Sequence, residues 1–124
     1  MILCRNRLDK YYILLYNIGK DLCDAKDINS FKKISKIILN NVKKSITPQT
    51  KVISIAHVTN VVGDIRPVEE IINYAHTKDI KVIIDGAQSV PHMLIDVQKL
   101  DMDFLAFSAH KMCGPTGVGI LYGK

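Results

Sequence analysis

Tryptophan is missing from this 124-residue chain, and phenylalanine and tyrosine bring the aromatic share to only 6%. Four prolines and seven glycines are too few for a collagen-like or low-complexity chain. The three cysteines, Cys4, Cys23 and Cys113, are odd in number, far apart and in no C-x-x-C pair. That pattern argues against a disulfide framework and a zinc site. It suits a reducing compartment, so a cytoplasmic protein is expected. No apolar run approaches a membrane span, and residues 1–3 are too brief for a signal-peptide core. Internal repeats and linkers are also lacking. The length fits one domain, or part of one, with a modest core.

What is present is ordinary globular usage, 48% apolar and 23% charged, which rules out disorder. The formal net charge of +5 is unevenly placed: residues 1–50 carry ten basic and four acidic side chains, residues 51–124 seven and eight. The excess sits mostly on Lys32, Lys33, Lys36, Lys43 and Lys44. With no aromatics interleaved, these lysines read as the solvated face of a helix and not as a nucleic-acid patch.

Hydrophobic spacing outlines the elements. Residues 12–18 read as a strand ended by Gly19. Phe31, Ile34, Ile38 and Val42 recur at helical spacing, predicting a helix capped by Asn29 or Ser30 and running to about Lys44. V-I-S-I-A at 52–56 is the run expected of a buried strand, and residues 57–66 form a loop with Gly63 for flexibility. Pro67 suits the first turn of a second helix, where Glu69 and Glu70 complement the positive dipole end. Val68, Ile71, Ile72 and Ala75 give that helix one apolar stripe. Residues 81–85, 104–108 and 118–122 read as further strands. Helices alternating with apolar strands predict an α/β fold, a mostly parallel sheet with helices on both faces.

In such sheets ligands gather beyond the carboxyl ends of the strands, which singles out residues 57–60, 85–88 and 108–111. Asp85 follows V-I-I and precedes Gly86-Ala87. A carboxylate on the floor of a crevice is costly unless a cation meets it. Taken alone, Asp85 reads equally well as a helix cap or turn aspartate, and V-I-I-D also fits the magnesium aspartate of a nucleotide hydrolase. No G-x-x-x-x-G-K-[ST] cradle accompanies it, and Gly114, Gly117 and Gly119 are not spaced as a dinucleotide fingerprint. Lys111 follows the apolar run at 104–107, with Ser108 three residues before it, His110 beside it and a Gly-Pro turn after it. A lysine at the rim of a partly desolvated crevice suits imine chemistry with an aldehyde. Ser108 and His110 could hold a phosphate from the same turn. A merely solvated lysine would leave the apolar approach and those neighbours unexplained. Asp85 and Lys111 together suggest pyridoxal phosphate, which offers an aldehyde to a lysine and a ring nitrogen to a carboxylate.

Three segments carry a family resemblance: I-A-H-V-T-N-V-V-G at 55–63, V-I-I-D-G-A-Q at 82–88, and D-F-L-A-F-S-A-H-K-M-C-G-P-T-G-V-G at 103–119. Together they resemble the cofactor-binding core of cysteine desulfurases, in the Suf-type branch of the class V aminotransferase superfamily. The Ser-x-His-Lys turn followed by Gly-Pro-x-Gly is the most specific part. The resemblance covers residues 20–124, a partial cofactor-binding domain, while residues 1–19 match poorly. It implies part of the large domain of a fold type I pyridoxal-phosphate enzyme. Lys111 would bind the cofactor aldehyde and move protons, and Asp85 would pair with the pyridinium nitrogen. Gln88 and Asn60 would hydrogen-bond the ring's O3′ side, and Ser108 and His110 would hold the phosphate. His57 is expected as a positioned strand-end residue.

The implied reaction converts L-cysteine to L-alanine and leaves a protein persulfide, a sulfur supply for iron–sulfur clusters. It brings a Suf-type sulfur acceptor and a homodimer of the full-length form, with neither nucleic acid nor membrane. In family members the persulfide-forming cysteine and the carboxylate-binding arginine lie beyond this chain's end. The residue stacked on the ring, and further phosphate ligands, lie before its beginning. The chain therefore resembles a truncated desulfurase. A non-catalytic or vestigial fragment and a relative such as a selenocysteine lyase are the alternatives. Cys113 is expected as a small buried thiol in a turn and not as the nucleophile.

Overall fold

The computed structural model describes residues 2–3, 12–15, 28–61 and 63–124. Their strands form one six-stranded sheet whose spatial order follows the chain. These are β1 (Ile2–Leu3), β2 (Tyr12–Leu15), β3 (Thr50–Ala56), β4 (Lys81–Asp85), β5 (Phe104–Ser108) and β6 (Gly119–Gly123). Strands β2 to β5 run parallel, and β1 and β6 close the two edges antiparallel. Helix α1 (Ile28–Ser45) falls between β2 and β3 in the chain, and α2 (Val68–His76) between β3 and β4. This is the mostly parallel α/β sheet that the sequence predicts.

The boundaries of β4 and β5 match their apolar runs, whereas β3 begins earlier, at Thr50, and β6 is displaced by one residue. Helix α1 contains Asn29 and Ser30, so neither caps it. Pro67 occupies the N-cap position of α2 at φ −77° and ψ 67°, where its missing N–H costs nothing. Of the strand expected at 12–18, residues 16–18 lie outside the described residues, as do most of residues 1–19.

One core holds the layers together. Register pairs Ile53 with Val82, and Ile55 with Ile84, which in turn pairs with Leu105. These side chains share one face of the sheet because strand residues alternate in direction. Ile34, Ile38 and Val42 of α1 and Val68, Ile71, Ile72 and Ala75 of α2 join them in a single buried cluster. Each isoleucine fully removed from water contributes about 1.5–3 kcal/mol. The lysines at 32, 33, 36, 43 and 44 are exposed, as expected of a solvated helix face. Both described helices thus pack on one side of the sheet, so among the described residues the other face does not carry the helices that the sequence predicts there. The opposite side carries Ser54, Ala56, Ile83, Phe104, Ala106 and Ser108, all half-buried, together with the exposed Asp85.

A buried carboxylate secures the amino ends of the strands. Asp103, just before β5, is 3% exposed. Its Oδ1 accepts from Lys81 Nζ at 2.8 Å, and its Oδ2 accepts from Val82 N–H at 3.0 Å and lies 2.8 Å from His76 Nε2. One side chain therefore ties the end of α2 and the start of β4 to the entry of β5. Burial alone would raise the Asp103 pKa, but hydrogen bonds from Lys81, His76 and the Val82 amide hold it below the usual carboxylate range. The ionised form is thus favoured by folding. Its stabilisation is present above the unfolded-state pKa of about 4 and is lost as pH falls through the lower folded value. Replacing Asp103 by Asn should lower stability at neutral pH by about 2–4 kcal/mol. It should also flatten the acid limb of urea midpoints measured between neutrality and pH values below about 4.

Candidate active site

Strands β3, β4 and β5 end in one row, because the parallel register pairs Ala56 with Asp85 and Asp85 with Ala106. The three side chains point to the face away from the helices, and Ser108, two residues beyond Ala106, points the same way. Asp85 is therefore flanked by two methyl groups, which leave a shelf of open space beside the carboxylate. Its backbone is fixed, since the Asp85 carbonyl accepts from His57 N–H at 2.9 Å. Its side chain is partly engaged, with Oδ1 accepting from Ala87 N–H at 2.9 Å. The turn-aspartate reading is the one the structure shows, through this bond from Oδ1. Asp85 is exposed, so the described residues do not bury it on the floor of a crevice.

The turn after Asp85 comes close to β5. Gly86 N–H donates to the Ala106 carbonyl at 2.8 Å. A Cβ at Gly86 would lie 2.7 Å from Leu105 Cδ1 and 2.9 Å from Val90 Cγ2. A side chain here would have to push the Leu105 and Val90 methyl groups aside, and the turn delivers Gln88 to the strand ends.

Beyond β5 the chain enters a single 3₁₀ turn, Ala109–Met112, which carries His110 and Lys111. Ser108 precedes it in an extended conformation, φ −112° and ψ 137°, and its hydroxyl makes no capping bond, so the group is free to meet a ligand. The turn is closed by the Ala109 carbonyl, which accepts from Gly114 N–H at 2.9 Å. Cys113 adopts the left-handed conformation at φ 61°. A Cβ on Gly114 would lie 2.9 Å from both the Ala109 Cβ and the Ala109 carbonyl oxygen. Lys111 is exposed, so the described residues do not supply the desolvation expected around it. Cys113 is also exposed, which corrects the expectation of a buried thiol.

The loop at 57–66 is an ordered hairpin. Val58 bridges Ile65, Thr59 N–H donates to the Asp64 carbonyl at 3.0 Å, and the Asp64 N–H donates to Thr59 Oγ1 at 3.0 Å. Arg66 N–H donates to the His57 carbonyl at 2.9 Å. Near the tip, Asn60 Oδ1 accepts a hydrogen bond from Gln88 Nε2, so these two expected ring ligands meet. They border a groove of about 350 Å³ between the hairpin and the turn at 86–93, which His92 and Met93 also line. The groove does not take in Asp85, Ser108, His110 or Lys111. The structure thus joins Asn60 to Gln88 and sets Asp85 and Ser108 on one face of neighbouring strands, with His110 and Lys111 on the turn that follows β5.

Beneath the hairpin lies a buried polar trio that the sequence reading did not single out as a unit: His57, Asp64 and Arg66 are 6%, 4% and 3% exposed. Burial lowers the pKa of His57, which favours its neutral form. Burial raises the pKa of Asp64, opposed by the charge of Arg66, whose Nε lies 4.0 Å from Asp64 Oδ2. The readable signal was D-I-R at 64–66, two charges in strand alternation around an apolar residue. Alternation puts Ile65 on the opposite face from the two charges but does not say which face turns inward.

The chain is similar to several known proteins. A "Probable cysteine desulfurase" of Halalkalibacterium halodurans is 54% identical over 93 residues, 75% of this chain and 23% of that protein. A "Cysteine desulfurase" of Wigglesworthia glossinidia brevipalpis is 44% identical over 122 residues, 97% of this chain and 26% of that protein. Among solved structures, the cysteine desulfurase CsdA of Escherichia coli superposes with a TM-score of 0.66 at 42% identity, over 69% of this chain and 22% of that one. The chain spans about a quarter of the length of the curated relatives it matches. With residues 26–124 matching the family as a whole, this chain belongs to the Aminotransferase class-V family.

Proposed function

We propose that this chain is part of a cysteine desulfurase of the Suf type that uses pyridoxal 5'-phosphate to take sulfur from L-cysteine, leaving L-alanine. The observation that supports the reading is that Asp85 at the end of β4 and Ser108 at the end of β5 lie on one face of adjacent strands, with Lys111 on the 3₁₀ turn that follows β5. The donor set fits the cofactor, offering an amine for its aldehyde, a carboxylate for its ring nitrogen, and a hydroxyl and an imidazole for its phosphate. Bound there, pyridoxal phosphate supplies an electron-accepting ring.

The protein's residues do the rest. Lys111 would supply the amine that holds the cofactor aldehyde and a base for proton transfer near it. Asp85, whose Oδ1 accepts from the Ala87 N–H, would offer its carboxylate to the ring nitrogen. The linked amides of Asn60 and Gln88 would hydrogen-bond the O3′ side of the ring. Ser108 and His110 would hold the phosphate. The sulfur passes to a protein thiol as a persulfide and then to a Suf-type acceptor for iron–sulfur clusters. The full protein is a cytoplasmic homodimer that binds neither nucleic acid nor membrane. No helix among the described residues is long and apolar enough to cross a membrane.

Titrating the full protein with pyridoxal phosphate should produce a visible absorbance band that Lys111→Ala abolishes, with alanine release from cysteine falling by about 10²–10⁴-fold. A protein that binds no cofactor would defeat the reading. Gly114→Ala should act through geometry alone. The new methyl must displace Ala109, costing about 1–3 kcal/mol, and weakened cofactor binding should accompany a lowered melting temperature in the same sample.

A further inference from the structure

We infer that His92 is a positioning residue: its ring clamps the main chain of Gln88, so that the Gln88 side chain reaches Asn60. The turn after Gly86 is held by main-chain bonds at two points. The Gly86 carbonyl accepts from Val90 N–H at 2.9 Å, and the Ser89 carbonyl accepts from His92 N–H at 3.0 Å and from Met93 N–H at 2.9 Å. Gln88 falls between them, and among the described residues no main-chain amide donates to its carbonyl. The His92 ring does so instead, with Nδ1 at 2.8 Å. A backbone carbonyl only accepts, so Nδ1 carries a proton, and the bond depends on which residue stands at position 92.

A bond between near neighbours fixes local conformation, and local conformation is what the Gln88 side chain needs. Its carbonyl and its side chain leave the same α carbon, so holding the planar peptide that follows holds the direction in which the side chain sets out. Ser89, next in the chain, is fully buried and anchors the far side of that peptide. From there Gln88 Nε2 donates to Asn60 Oδ1 across 28 positions. Two bonds in series thus run from His92 through Gln88 to Asn60, and all three residues line the groove between the turn and the hairpin. The His92 ring is exposed, so its bond and not its burial in the core accounts for its place. The bearing on cofactor binding rests on the function proposed above, whereas the positioning of Gln88 does not.

The test uses the full protein with His92→Phe, which keeps a flat ring but has no donor, and His92→Asn, whose amide nitrogen takes the place of Nδ1. The Gln88 side-chain amide, followed by nuclear magnetic resonance without cofactor, should move to a solvent-like shift in His92→Phe and keep its native shift in His92→Asn. The dissociation constant for pyridoxal phosphate should rise about threefold in His92→Phe, as expected for one ordinary hydrogen bond, and recover in His92→Asn. In a Gln88→Ala background, His92→Phe should leave the affinity where it stands, because it acts only through Gln88. An unmoved Gln88 amide in folded His92→Phe, or a further loss of affinity in the Gln88→Ala background, would overturn the positioning role. A displaced Gln88 amide with unchanged cofactor affinity would support the positioning and remove Gln88 from the cofactor site.

Discussion

The row formed by Ala56, Asp85 and Ala106 depends on the parallel pairing of three strands, and the rest of the molecule is arranged to keep that row in register. Parallel strands bring their carboxyl ends together only if each crossover returns the chain at the right height. The return is enforced from below and from within. Asp103 fixes the amino ends through Lys81, Val82 and His76. The isoleucines of α2 pack the same sheet face as Ile53, Ile55 and Ile84. Sliding β4 by two residues would keep its apolar face on the core but would carry Asp85 out of line with Ala106 and break the Val82 bond to Asp103. Charge and packing thus specify together what packing alone would leave open.

Above that row the chain makes three turns, each held by a different device. The turn at Gly86 depends on the absence of a side chain, because the Ala106 carbonyl and the Leu105 side chain approach the backbone closely. The 3₁₀ turn depends on one carbonyl, that of Ala109, accepting the Gly114 amide. The 57–66 hairpin depends on backbone bonds and on the Thr59 hydroxyl, which accepts from the Asp64 N–H. Candidate site residues sit on each turn, and a rigid sheet below lets short turns hold them with little freedom. Asp85 and Lys111 are exposed among the described residues.

Much of this was legible in the residues. The runs at 81–85 and 104–108 are short, apolar and flanked by polar residues, so no competing helical period obscured them. The apolar stripe of α2 was equally plain. Helix α1 was found, but its start was misplaced, because Asn29 and Ser30 are good caps and nothing local reveals that the helix already includes them. The hairpin was read as a loop because its pairing is a single bridge and its inward residues are charged, which inverts the pattern by which strands are recognised. Cys113 was expected to be buried because small thiols usually are. Its exposure follows from the left-handed turn it occupies, which is decided by the closing of the 3₁₀ turn and not by the cysteine.

The order of strands and helices, and the identity of the residues at the strand ends, followed from the sequence alone, because hydrophobic period and turn chemistry act over a few neighbouring residues. Local pattern carries no information about which strand end lies beside which, about the meeting of Asn60 and Gln88 across 28 positions, or about the inward turn of Asp64 and Arg66. Those were decided by tertiary structure, since they depend on register between segments distant in sequence, and register is settled only when the whole sheet and its core form together.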